Sequence, residues 1–195
     1  MNRRGLLRRQ LKRAWAQVLS QVYIEGQLNS ERALQAYLAA HLLNAFQQDG
    51  VKRRLYIEPK VQLAETGAKI NPDILVTNTR SVIAVIELKF SPKQAPRQKR
   101  DLHKLDSLAH SANPIELTNE RYLGPNLAKL RFEFAADCLF VWAGVYRSTR
   151  PAVGDEDSRL SQHPNFMMLH ALTAEGEQPS LWCDGRQLDF PLAAD

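Results

Sequence analysis

The stretch NPDILVTNTRSVIAVIELKF, residues 71–90, decides how this chain folds. Two apolar runs, Ile74 to Val76 and Val82 to Ile86, flank a polar break at 78–81, the pattern of two β-strands joined by a tight turn. Both outer ends are charged: Asp73 opens the first run, and Glu87 and Lys89 close the second. Side chains alternate across a strand, so Glu87 and Lys89 share a face with Ile83 and Val85, while Val82, Ala84, Ile86, Leu88 and Phe90 take the other. A three-residue loop at Thr79 to Ser81 sets Asn78 opposite Val82 and Asp73 opposite Glu87. The register that sets Asp73 opposite Val85 keeps the same face and makes the two acids diagonal neighbours. A slip of one residue turns Asp73 away.

Two carboxylates side by side repel and raise each other's proton affinity unless a cation lies between them. Magnesium, a hard ion that takes oxygen ligands, suits such a pair and keeps waters for contact with a phosphate. An ammonium on the same face can hold or polarise the attacking water and neutralise charge in the transition state. Asp73, Glu87 and Lys89 therefore point to phosphodiester hydrolysis. The structural alternative is a strand-end salt bridge between Lys89 and either acid.

Outward from the hairpin, SERALQAYLAAHLLNAF repeats Leu34, Leu38, Leu42 and Ala45 at helical spacing, with Asn29 or Ser30 as cap and Asp49-Gly50 as stop. RRLYIEPKVQLAE reads as a strand made irregular by Pro59. RQKRDLHKLDSLAHSA places Leu102, Leu105, Leu108 and Ala109 on one helical face, and DCLFVWAGVY is a buried strand. A polar loop follows from Arg147 to Pro164, and FMMLHALT with SLWCDG suggests a terminal hairpin.

The N-terminal segment, residues 1–25, reads as a basic amphipathic helix with Leu7, Leu11, Ala14, Trp15, Val18 and Val22 in one stripe. Its Arg3, Arg4, Arg8, Arg9, Lys12 and Arg13 carry six of the positive charges; without them the net +5 becomes −1, so the basicity is local. Such a helix suits an arm on phosphates, a membrane-surface helix or a docked helix with a solvated face. Arg8, Arg9 and Lys12 are candidate nucleic-acid contacts. Arg97, Lys99, Arg100 and Lys104, just beyond the hairpin, suit phosphate contact or a solvated helix face.

With 195 residues, 44% of them hydrophobic, the chain is expected to form one domain over residues 1–195 with a real core. Cys138 and Cys183 stand apart with no zinc-ligand spacing, which fits a reducing, cytoplasmic compartment. No run approaches the ~18 apolar residues of a membrane span, and polar residues interrupt the basic N-terminus before a signal-peptide core develops, so a soluble protein that does not span a membrane is expected. No glycine-rich phosphate loop, G-x-S-x-G elbow or Cys/His nucleophile pattern is present, which removes the common NTPase and hydrolase routes. His41, His103, His110, His163 and His170 read as structural or surface residues, and Trp142, Trp182 and Met167-Met168 as core.

Pro72-Asp73 followed, after an apolar hairpin, by Glu87-Leu88-Lys89 resembles the signature of the PD-(D/E)xK nuclease superfamily. The resemblance covers residues 29–112, counting the helix with Lys99, Lys104 and Leu105 as the one that follows the hairpin. It implies an α/β restriction-endonuclease-like domain, a mixed central β-sheet flanked by helices. Asp73 and Glu87 are then the ligands of Mg2+, for which Mn2+ can substitute, and Lys89 is the catalytic lysine. Glu31 matches the acid on the preceding helix, although an acid in a first helical turn also suits the helix dipole. The implied activity is metal-dependent hydrolysis of DNA, with the ion on a non-bridging phosphate oxygen, Lys89 orienting water, and Glu31 assisting through a second ion or water. The alternative is an inactive nuclease-like module that binds nucleic acid or protein. A homodimer is compatible with either.

Overall fold

The computed structural model describes residues 3–111, 113–119, 128–152, 159–175 and 177–189; of the segments named above, residues 1–2, 112 and 153–158 lie outside it. Helix α1 (Arg3–Gln17) runs on into a π-helical turn (Val18–Tyr23), and Gly26 at φ 71° ends it. The stripe of Leu7, Leu11, Ala14, Trp15, Val18 and Val22 is buried throughout. Helix α2 (Glu31–Gln48) starts at Ser30, whose hydroxyl accepts the Ala33 amide at 3.1 Å, and it packs Leu34, Leu38 and Leu42 against the α1 stripe. Each such leucine removed from water contributes about 1.5–3 kcal/mol. Buried Gln10 ties the pair together, donating to Asp49 Oδ2 at 2.5 Å and accepting from Arg53.

The expected strand around Pro59 is in fact two, β1 (Arg54–Ile57) and β2 (Lys60–Leu63). Between them Glu58 adopts φ 46° and Pro59 supplies no amide, so the ladder cannot continue. The strands then part: β1 pairs with β4 (Ile74–Thr77), whereas β2 pairs with the short β3 (Lys69–Ile70) and with β6. The chain continues through β5 (Ser81–Ser91), α3 (Lys99–Ala109), β6 (Ile115–Asn119), β7 (Ala128–Arg147), β8 (Phe166–Thr173), β9 (Ser180–Cys183) and β10 (Arg186–Gln187). The order β1-β4-β5-β7 continues into β8, β9 and β10 along one half of β7 and into β6, β2 and β3 along the other. Pairs β5/β7 and β7/β8 are parallel, while β1/β4, β4/β5 and β8/β9 are antiparallel, so the protein is α/β with a mixed sheet. The terminal hairpin is present as β8 and β9. The buried strand read at DCLFVWAGVY is only the second half of β7; β3 is too short to read, and β6 was not anticipated.

At its charged end the central hairpin keeps the register that faces Asp73 to Glu87: Ile74 pairs with Ile86, Leu75 with Val85 and Val76 with Ala84. The turn end differs from expectation. Thr77 pairs with Val82, which leaves Ile83 as an extra residue in β5, and the connection is tighter than three residues. Asn78 donates its amide to Ser81 O at 3.0 Å, and its side-chain oxygen accepts the amides of Arg80 and Ser81 at 2.8 and 2.7 Å. The bulge reverses the alternation beyond it. Val82 joins Val85 and Leu75 in the core beneath α3, and Ile83 packs toward α1 and α2.

The sheet thus has a core on each face. Ile74, Val76, Ala84, Ile86, Val141 and Ala143 meet α1 and α2, while Leu75, Val85, Trp142 and Tyr146 meet Leu102, Leu105 and Leu108 of α3. His170 is buried with its Nδ1 2.8 Å from Tyr146 Oη, and burial lowers its pKa to about 4, as befits a structural histidine. No helix among the described residues is long and apolar enough to cross a membrane.

Trp142 lies along β7 over Gly144, the residue paired with Lys89 of β5. A Cβ on Gly144 would stand 2.3 Å from Trp142 Cη2 and 2.8 Å from Cζ3, so the indole occupies space that any side chain there would need. Gly144→Ala is expected to displace the ring and cost about 1–3 kcal/mol, read as a lower urea midpoint with altered tryptophan emission. Unchanged unfolding would mean that the ring has room to move.

Candidate active site

Strand β5 outruns its neighbour. Because β4 begins at Ile74 opposite Ile86, the amides of Leu88 and Phe90 extend past the last strand pair on that side. Carboxylates take them up: Asp73 Oδ2 accepts from Leu88 at 2.6 Å and Glu31 Oε2 from Phe90 at 3.2 Å. Asp73 is fixed from behind as well, since its carbonyl accepts from the Glu58 amide at 2.9 Å and from Gln35 Nε2 of α2 at 2.8 Å.

Glu87 points from β5 toward α3 and is 0% exposed. Its Oε2 lies 2.5 Å from Lys104 Nζ, and its Oε1 is buried with no hydrogen-bond partner. Burial, reinforced by the charge of Asp73 and opposed by Lys104, pushes Glu87 up to about 8. Burial also raises Asp73, against the pull of the Leu88 amide and of Lys104. Lys104 is itself raised: burial works against its charge, but the bond to Glu87 and the charges of Asp73 and Asp101 outweigh that cost.

Lys89 points the same way but engages neither Asp73 nor Glu87. Its Nζ lies 3.3 Å from Glu31 Oε2 and 3.9 Å from Asp101 Oδ2. Asp101, raised chiefly by burial, completes a group of four carboxyls facing two ammoniums. It was not singled out from the sequence. The available signal was its place on the inward stripe of α3, where Asp101, Lys104, Leu105 and Leu108 recur at helical spacing and all but Lys104 are buried.

The structure therefore gathers Glu31, Asp73, Glu87, Lys89 and Lys104 at one end of β5, with Lys104 on Glu87 instead of free in solvent. It does not bring Arg8, Arg9 and Lys12 there, because α1 packs on the opposite face of the sheet from α3. Arg8 pairs with Asp184 at 3.4 Å and donates to the Phe166 carbonyl, Lys12 lies near Cys183, and Arg9 is exposed. Lys99 is exposed on the first turn of α3.

Among the described residues, no three His, Cys, Asp or Glu side chains already stand in a metal-holding arrangement. Magnesium commonly uses only one or two carboxylates and fills the rest of its shell with water, so Asp73 and Glu87 form a sufficient donor set. The buried, unpartnered Oε1 of Glu87 is a free oxygen ligand in that set, and the excess of carboxyls over ammoniums favours a cation. The residues fit a divalent ion. No family model and no curated protein matches this chain.

The raised carboxyl of Glu87 sets a pH dependence. Its proton is held more tightly in the folded chain than in the unfolded one, so the stability it contributes is fully present below the ordinary value of 4.5 and is lost as pH rises through about 8. Metal-free protein is expected to lose melting temperature across that window more steeply than Glu87→Gln, whose amide does not titrate. Parallel pH profiles for the two proteins in thermal melts followed by circular dichroism would contradict the assignment.

Proposed function

We propose that the mixed sheet with helices on both faces is a restriction-endonuclease-like fold and that the chain is a magnesium-dependent nuclease of PD-(D/E)xK type that hydrolyses DNA. The observation that carries this reading is the fully buried Glu87, set beside Asp73 with one oxygen unpartnered and with Lys89 on the same strand face. A fold gains little from burying a carboxyl among other carboxyls; binding a cation gives that cost a purpose.

Asp73 and Glu87 would hold the ion, which when bound supplies Lewis-acid polarisation of a non-bridging phosphate oxygen. The chain's own groups do the rest. The Leu88 amide fixes the Asp73 carboxylate, and Lys104 anchors Glu87 from α3. Glu31 and Asp101 hold the Lys89 ammonium at the strand end, where it orients water for in-line attack and offsets negative charge developing on the phosphate. One feature supports a purely structural reading: both lysines already have carboxylate partners.

Plasmid cleavage separates the two. Wild type is expected to nick or linearise DNA with Mg2+ or Mn2+ and not with EDTA. Asp73→Asn and Lys89→Met should each lower the rate by about 10²-fold or more, with melting temperatures near wild type. No cleavage by wild type with either ion, or undiminished cleavage by both variants, would overturn the nuclease assignment. Lowered melting temperatures with no effect of added metal would instead mark a structural ion-pair network.

A further inference from the structure

A second polar feature adjoins the carboxylates. A cleft of about 670 Å3 opens between β2, β3 and α3, and Lys60, Gln62, Lys69, Asn71, Arg100 and Lys104 line it. Four cations from three separate elements converge there, and no acidic or aromatic residue is among the described lining. Lys60, Lys69 and Arg100 are exposed, so their side chains are accessible to a ligand in the cleft.

The cleft is joined to the candidate active site twice. Lys104 belongs to both, since it lines the cleft while its Nζ bonds Glu87. Asn71 belongs to its wall and stands two residues before Asp73 in the chain. A polyanion lying in the cleft is thereby brought up to the carboxylates from the α3 side. The arginines of α1, by contrast, are on the other face of the sheet.

We propose that this cleft holds the phosphodiester backbone of a nucleic-acid strand, with Lys60, Lys69 and Arg100 on successive phosphates and Lys104 at the passage to Asp73 and Glu87. The orientation of the strand toward cleavage rests on the nuclease reading above; the binding itself does not. Single-strand binders that use bases stack them on aromatic rings, which this lining lacks, so recognition is of phosphate and is independent of sequence. Gln62 and Asn71 add amide donors suited to phosphate oxygens.

The test is fluorescence anisotropy with short labelled oligonucleotides, single-stranded and duplex, in EDTA, alongside plasmid cleavage with Mg2+. Lys60→Glu/Lys69→Glu and Lys69→Glu/Arg100→Glu change exposed side chains and are expected to fold. Each should weaken binding by about 10-fold or more and flatten the dependence of log affinity on log salt by roughly one to two units, equally for unrelated sequences. The charge-matched control Lys52→Glu/Arg80→Glu, on surfaces away from the cleft, should bind as wild type does. Equal loss in control and cleft variants would overturn the proposal, because it would reflect net charge alone. If wild type cleaves DNA and the cleft variants bind and cleave undiminished, the cleft assignment falls and the nuclease reading stands. If wild type binds through the cleft but never cleaves, the nuclease reading falls and the cleft remains a polyanion site. A wild type that neither binds nor cleaves removes both.

Discussion

The hydrogen bond from the Leu88 amide to Asp73 Oδ2, 2.6 Å long, is the contact on which the rest of this architecture turns. It exists because β5 is longer than β4 and the overhanging amides need acceptors. A carboxylate meets that need and is at once locked beside the next inward-facing residue of the strand, which is Glu87. The same overhang recruits Glu31 from α2 through Phe90. Mismatched strand lengths therefore assemble acids from a loop, a helix and a strand around one point, and α3 encloses that point with Asp101 and Lys104.

The buried acid-rich cluster is held together by opposing tendencies. Desolvation drives protons onto Glu87, Asp73 and Asp101, while Lys89 and Lys104 draw them off. Neither ammonium can satisfy all of its neighbours, and one oxygen of Glu87 stays without a donor. Electrostatic imbalance of this kind is typical of places where a protein does chemistry, and on the proposed reading a divalent ion relieves it. The basic cleft beyond Lys104 extends the same logic outward, with negative charge collected inside and positive charge arrayed where a polyanion would arrive.

Much of this could be read from residue order. The two apolar runs between Ile74 and Glu87 marked the hairpin, and the period of two set Asp73, Glu87 and Lys89 on one face, from which a one-residue slip would have turned Asp73 away. The repeats at Leu34, Leu38 and Leu42 and at Leu102, Leu105 and Leu108 located α2 and α3 by their helical period. The bulge at Ile83 could not be seen, since both faces of the sheet are apolar there and an isoleucine suits either. Asp101 and Lys104 were ambiguous because a charge on an amphipathic helix faces water far more often than it faces a strand end. The division of the strand at Pro59 was half visible: proline announced a break, but the separation of β1 from β2 depends on partners distant in the chain. Strand β3 is too short for any period to emerge, whereas β6 does alternate, Ile115 and Leu117 against Glu116 and Thr118, and was passed over in a polar stretch.

The inserted Ile83 also divides β5 into two lengths of opposite phase. Toward the turn, the assignment of side chains to the upper or lower layer obeys one parity; toward Glu87 it obeys the other. Repacking near Asn78 to Val82 thus leaves the orientation of Glu87 and Lys89 untouched, since the phase of the half that carries them is set by its own pairing with Ile74 to Val76 and with β7. One surplus residue insulates the carboxylate cluster from drift at the hairpin's tip.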